Sequence, residues 1–332
     1  MQNCWYLGLD GGGTKTRCAL YNTATDTLLT VRGGSTNHEA LPGGMGALAD
    51  AVSGIVFPLL EQAGVSADGL RAAAFGMSGV DTPMQHEFIS QILAGMGFSR
   101  FLLSNDAYLG VKAEAGRSGV SAVNGTGYSV AGIAADGRTM QIGGHNDLTG
   151  DLGGSGYLVP AAIRAVYTAL FKRGEETALT GMFFDWLGID ARDAFCQAVA
   201  MQIYGDMAAA YRRISQLLHE AAGAGDAVAR RILIDSGEDY ALSIRCIAEE
   251  LALPSPIDVV LLGSQFTRCE CPLAIDTLRS SLAKAGDYRI RIISTEPVAG
   301  ALLWAMELDG VQPEDEAGLK ERVRQSFGGC AQ

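Results

Sequence analysis

Asp10 stands directly before three consecutive glycines, Gly11, Gly12 and Gly13, which run into Thr14, Lys15 and Thr16. Glycines let backbone amides approach an anion closely, the hydroxyls and the ammonium add donors, and the carboxylate can hold Mg2+ through water. That set of groups suits a phosphate and its metal. A tight turn with no ligand needs the same glycines, so the stretch alone leaves both readings open. The familiar phosphate loops do not match it. No Gly-Lys pair occurs anywhere in the chain, which excludes GxxxxGK[ST], and "DGGGTKT" lacks the third glycine of GxGxxG and leads into a strand pattern.

Two further stretches have the same character: "NGTG" at Asn124 to Gly127, and Gly263-Ser264 after the apolar run "DVVLL". The elements that must hold these turns repeat. "CWYLGLD", the glycines, "TRCALYN", "NTATD" and "TLLTVRG" read as strand, turn, strand, turn, strand. "GVSAVNGTGYSVAGIAADGRTMQIGG" repeats that order from Gly119. The first copy continues with an amphipathic helix over 44–64, weakened by Pro58, a buried strand "LRAAAFGMSGV", a helix near 83–97 and a short strand "RFLLSNDA". From Gly154 onward long helical periodicities dominate, until "DVVLLGSQF" reads as a buried strand and "STEPVAGALLWAME" as a strand end followed by a helix. The pattern predicts an α/β protein of two lobes, 1–117 and 118–332, each a mixed sheet opening with a glycine-turn hairpin. The last helix can return to the first lobe, and the acidic tail from Glu307 reads as a solvated helix that frays.

The bulk composition narrows the partners. A net charge of −12 repels a phosphate backbone or an anionic bilayer, so neither nucleic acid nor membrane is an expected partner. No apolar run approaches the ~18 residues of a spanning helix, and no basic-then-apolar leader opens the chain, so the expected location is cytoplasmic. Seven cysteines with no CxxC pair fit reduced thiols, and His38, His86, His145 and His219 lie too far apart in sequence to suggest a zinc site.

The three glycine turns, in this order, resemble the phosphate-1, phosphate-2 and adenosine segments of the sugar kinase, heat-shock ATPase and actin superfamily. Within it the chain most resembles the N-acetylglucosamine kinase branch, the BadF/BadG/BcrA/BcrD ATPase family. The stretches that carry the likeness are "GLDGGGTKTRCAL", "STNHEA", "FGMSGVDTP", "SNDAYLG", "NGTGYSVAG", "GGHNDLTGDLGGSGYL", "LLGSQF" and "EPVAGALLWA". The resemblance implies the ribonuclease H-like, actin-like fold with a nucleotide cleft between duplicated lobes. It implies ATP and Mg2+ as cofactors, a sugar as the small-molecule substrate, and a homodimer as the usual assembly.

Residue by residue, the resemblance makes Asp106 the general base toward a sugar hydroxyl and Asp10 the acid that orients the metal. It makes Asn37, Asn105, Asp106, Thr126, His145 and Asp151 the sugar contacts. The ATP contacts become Gly11, Gly12, Gly13, Thr14, Lys15, Thr16, Gly125, Thr126, Gly127, Gly263 and Ser264. Asp106 also suits the cap of a following helix. The helix start after Gly153 offers amides that can receive an anion. His145 and Leu152 stand where N-acetylglucosamine kinases carry Trp and Glu, and "GDLGGSGY" is one residue longer than their motif. The expected activity is phosphorylation of a hexose or amino sugar, N-acetylglucosamine first, with glucosamine or glucose as alternatives. An ATPase activase of the dehydratase or benzoyl-CoA reductase type shares the likeness, but such activases resemble one another in a cysteine just before the Gly-Thr turn, where this chain has "SAVNGTG".

Overall fold

Trp5–Gly11 (β1), Thr16–Asn22 (β2) and Thr27–Gly33 (β3) pair antiparallel in sequence order, because short turns join them, and Ala72–Met77 (β4) then lies parallel beside β1. Phe101–Ser104 (β5) adds on the far side of β4, giving a sheet of order β3-β2-β1-β4-β5. The computed structural model describes residues 4–145 and 148–328. The second half builds the same sheet again. Gly119–Asn124 (β6), Tyr128–Ile133 (β7) and Thr139–Gly143 (β8) are antiparallel, while Ile257–Leu262 (β9) and Tyr288–Ile292 (β10) add parallel, in the order β10-β9-β6-β7-β8. Strand for strand, β6 to β10 repeat β1 to β5.

Helices cover the sheets. Leu48–Ala63 (α1) runs unbroken through Pro58 and buries Leu48, Val52, Ile55, Val56, Leu59 and Leu60 under the first sheet. By length and composition alone, residues 44–63 would suffice to cross a membrane, contrary to the sequence expectation; here that apolar stripe closes a core. Pro83–Gly95 (α2) begins with a capping box in which Thr82 and Gln85 exchange hydrogen bonds. Tyr108–Gly110 (α3) continues into a π-helical turn, Val111–Ala115, that leads to β6.

Gly154–Leu170 (α4), Leu179–Leu187 (α5), Phe195–Gly205 (α6) and Met207–Gly223 (α7) surround their own apolar core of Val159, Val166, Phe183, Phe195 and Ile214. Ala227–Glu250 (α8) packs Ile244 and Ile247 on the second sheet beside Leu273–Ala283 (α10), which follows the single turn Ser264–Thr267 (α9).

Pro297–Leu308 (α11) returns to the first sheet. Val298, Ala299, Ala301, Leu302, Ala305 and Met306 pack on Tyr6, Ala19, Ala72 and Ala74. Glu316–Ser326 (α12) follows it there and buries Leu319 and Val323, with Phe327 just beyond. The expectation of a solvated tail is therefore corrected: only one face of α12 meets water, and its apolar residues at i, i+4 and i+8 seal the sheet.

Candidate active site

Both glycine turns join the antiparallel strands at one end of each sheet. In the first, Gly12 donates to the Lys15 carbonyl at 3.0 Å, which closes the turn and leaves the amides of Gly13 and Thr14 without an acceptor among the described residues. Thr14 and Lys15 are exposed at the tip. In the second, Gly125 donates to the Gly127 carbonyl at 3.1 Å, and the amides of Thr126 and Gly127 are likewise unspent among the described residues. Exposed amides with no partner are what an anion binds.

Gly263, at the end of β9, is the third piece. Its φ is +88°, and a Cβ there would lie 2.3 Å from the Asn124 carbonyl oxygen, so only glycine lets β9 end against the "NGTG" turn. Ser264 is exposed at the start of α9.

Two of the expected donors have other work. Thr16 is fully buried, and its Oγ1 pairs with Thr36 Oγ1 at 2.9 Å, holding the 33–37 loop to the first hairpin. The start of α4 is also occupied: the amides of Gly154, Ser155 and Gly156 donate to Asn124 Oδ1, the Gly125 carbonyl and the Thr126 carbonyl at 2.8, 2.9 and 3.0 Å. The expectation of an anion on that helix start is corrected, because those amides are spent fixing the second turn.

Asp10 sits at the end of β1 near the first turn. Arg17 Nη1 lies 3.7 Å from its Oδ2, while Arg17 Nη2 binds Glu296 Oε2 at 2.9 Å. Burial pushes Asp10 up to about 6; Arg17 and Lys15 pull it down, and Glu296 raises it. Lys15 is held below the ordinary lysine range by partial burial and by the charges of Arg17 and, more weakly, Arg268 of the second lobe. Among the described residues no group of three or more His, Cys, Asp or Glu could hold a metal ion. Asp10 and Glu296 supply two hard oxygen donors, which fits Mg2+ held largely by water and phosphate oxygens.

Asp106 follows β5. Burial, then the charges of Asp10 and Asp81, push its carboxyl up to about 8, although its own amide and that of Ala107 favour the ionised form. The helix-capping alternative falls to its neighbour: Asn105 Oδ1 accepts the Ala107 amide at 2.9 Å. Asn105 Nδ2 donates to Asp81 Oδ1 at 2.9 Å, so Asn105 is buried as a spacer between Asp106 and Asp81.

Asn37 lies between the first turn and the loop after β4. Its Oδ1 accepts the Glu39 amide at 2.9 Å, and its Nδ2 is the nearest group to a Cβ built on Gly13, at 3.9 Å. From the second lobe, Asp151 Oδ2 accepts the amides of Gly144 and His145 at 3.0 and 3.1 Å, which folds the segment after β8 over the cleft. The structure thus brings Asp81, Asn105, Asp106, His145 and Asp151 together, with Asn37 beside the first glycine turn and Asp10 close enough to Asp106 to raise its carboxyl.

Asp81 carries no role in the sequence reading. Its Oδ1 accepts both Asn105 Nδ2 and, from β8 of the other lobe, Gln141 Nε2 at 2.7 Å. With Gln141 and Asn105 it walls a cavity of about 600 Å3 between the lobes, lined also by Tyr108, Lys112 and Trp304.

The chain matches the BadF/BadG/BcrA/BcrD ATPases over residues 7–305. It belongs to that family. ATP is accordingly its nucleotide. An N-acetylmuramic acid/N-acetylglucosamine kinase from Clostridium acetobutylicum is 25% identical over 252 residues, 75% of this chain and 81% of the relative. A candidate N-acetylglucosamine kinase from Chromobacterium violaceum superposes with a TM-score of 0.67 at 27% identity, covering 91% of this chain and 99% of that one. A ROK glucokinase from Streptomyces griseus, solved with glucose and AMPPNP, shares the fold at a TM-score of 0.52 and 16% identity, over 97% and 99% of the two chains. The family's two-lobed, actin-like fold is the one described above.

Proposed function

We propose that this chain is a kinase that transfers the γ-phosphoryl group of ATP to a hexosamine, with N-acetylglucosamine the best-supported acceptor and its 6-hydroxyl the site. The observation that carries the reading is the pair of glycine turns, one from each lobe, with unspent amides, together with Asp106 at the end of a strand where the Asp10 and Asp81 charges act on it. The curated relative described as a kinase of N-acetylated amino sugars supports the choice of acceptor.

In this reading the amides of Gly13, Thr14, Thr126 and Gly127 cradle the phosphates, one pair from each lobe, and Lys15 adds a cation at the same end. Gly263 and Ser264 border the adenosine side. Asp10, with Glu296 nearby, would hold Mg2+, which would supply positive charge against the phosphates. Asn37, Asn105, His145 and Asp151 orient the sugar ring. Asp106 accepts the hydroxyl proton as the sugar oxygen bonds to the γ-phosphorus and the bond to the bridging oxygen breaks, releasing ADP, and its raised basicity suits it to that transfer near neutral pH. Closure of the lobes keeps water from competing for the phosphoryl group.

The test is ADP release with Mg-ATP, alone and with N-acetylglucosamine, glucosamine, N-acetylmannosamine and glucose. Release that requires an amino sugar supports the kinase reading. Release that no sugar alters would remove it and favour an ATPase that drives another reaction.

A further inference from the structure

Asp81 is bound lopsidedly. Both of its side-chain hydrogen bonds, from Asn105 and Gln141, fall on Oδ1, and Oδ2 accepts nothing among the described residues. Gly144 packs so close that a Cβ there would lie 2.6 Å from Asp81 Oδ1, and the Gly144 amide donates at 3.0 Å to Asp151 Oδ2. One residue, Gly144, therefore touches the Asp81 carboxylate of one lobe and the Asp151 carboxylate of the other. Glu39 adds a third negative group near Asp81, and the His145 ring also lies close to it. Asp81, Glu39 and Asp106 form no ion pair with lysine or arginine among the described residues. On the cavity side, Lys112 is already paired with Glu307 Oε2 at 2.6 Å, and the exposed Arg117 on that wall forms no ion pair among the described residues.

We infer that Asp81 determines the charge of the acceptor: neutral or cationic hexosamines are admitted, and a sugar carrying a carboxylate beside the ring is turned away. This rests on the kinase reading above. Oδ2 can accept a ring hydroxyl or an ammonium. A carboxylate brought to the same place meets Asp81, Glu39 and Asp151 in a partly desolvated cleft, where like charges repel strongly.

N-acetylglucosamine and N-acetylmuramic acid form a clean pair of probes, since the second is the 3-O-lactyl ether of the first and differs by one carboxylate. ADP release with each is measured for the wild type, Asp81→Asn and Glu39→Gln, with melting temperatures recorded alongside. The wild type is expected to favour N-acetylglucosamine in kcat/KM by at least about tenfold. Asp81→Asn, which keeps an oxygen for Gln141 and Asn105, should narrow that ratio several-fold, and Glu39→Gln should narrow it less. Equal use of both sugars by the wild type overturns the inference. So does a parallel loss of both sugars in Asp81→Asn at an unchanged melting temperature, which would make Asp81 a brace between lobes. N-acetylmuramic acid turnover that disappears in Arg117→Ala overturns it as well, by placing the lactyl group in the cavity. Turnover of neither sugar, nor of any other amino sugar, removes the kinase reading itself, and the inference falls with it.

Discussion

Asp81, in the loop after β4, accepts the side-chain amide of Gln141, on β8, across 2.7 Å, so a direct hydrogen bond joins the two lobes beside the proposed reaction site. Asp106 is coupled to the same carboxylate and sits on the lobe that carries Asp81. The chemistry and the joint between the lobes are thus neighbours.

Replacing Asp106 with Asn removes the proton acceptor and keeps the shape. Sugar-dependent ADP release is expected to fall by about 10²- to 10⁴-fold, while ATP affinity changes little. Steady-state assays and nucleotide titration check this, and a variant that keeps more than about a tenth of the rate takes Asp106 out of the base role.

Only ionised Asp106 can accept a proton, so kcat/KM should climb with pH and level off above about 8. Folding stability should run the other way. Asp106, Asp10 and Asp81 have folded-state values of about 8, 6 and 6 against an ordinary 3.8. Over that window the native chain keeps protons that the unfolded chain has released, so their contribution to stability is present in acid and is lost as pH rises toward about 8. Melting temperatures of the nucleotide-free protein from about pH 5 to 8.5 read this out, and the decline should flatten in Asp106→Asn.

Asp10→Asn should raise the Mg2+ concentration needed for half-maximal turnover and lower kcat together. A metal titration that the substitution leaves unchanged would assign Asp10 to packing against Arg17 alone.

Asp309, just past α11, accepts the Tyr6 hydroxyl at 2.8 Å and binds the guanidinium groups of both Arg71 and Arg100. Asp309→Ala strands three donors, although both arginines are half exposed and can rehydrate. A loss of about 1–3 kcal/mol is expected, measured by urea unfolding, with kcat per folded molecule unaltered.

The strands around the glycine turns were legible because their side chains alternate or are apolar throughout, and the turn residues permit little else. Of β10 only a strand end before Pro297 is legible, for the opposite reason. In "YRIRI", Arg289 and Arg291 face outward to bind Asp258, and a short edge strand with charges on one side carries little apolar signal. Asp81 reads locally as a residue preceding a helix cap, and its significance comes from Gln141, sixty positions away. The occupied amides at the start of α4 were equally illegible: whether a helix start is available to a ligand depends on which loop packs against it, and that is a tertiary fact.

α11 and α12 lie on the first sheet, yet they are encoded after every strand of the second. During synthesis the face formed by Tyr6, Ala19, Ala72 and Ala74 therefore waits, uncovered, for nearly two hundred further residues to be added beyond β5 before its own helices exist. The first lobe cannot finish folding ahead of the second as an independent unit would. A chain lacking the residues from Pro297 onward would leave that apolar sheet face without the helices that cover it. The first lobe is thus built from both ends of the fold's strand order, and its core closes only when α11 and α12 are in place.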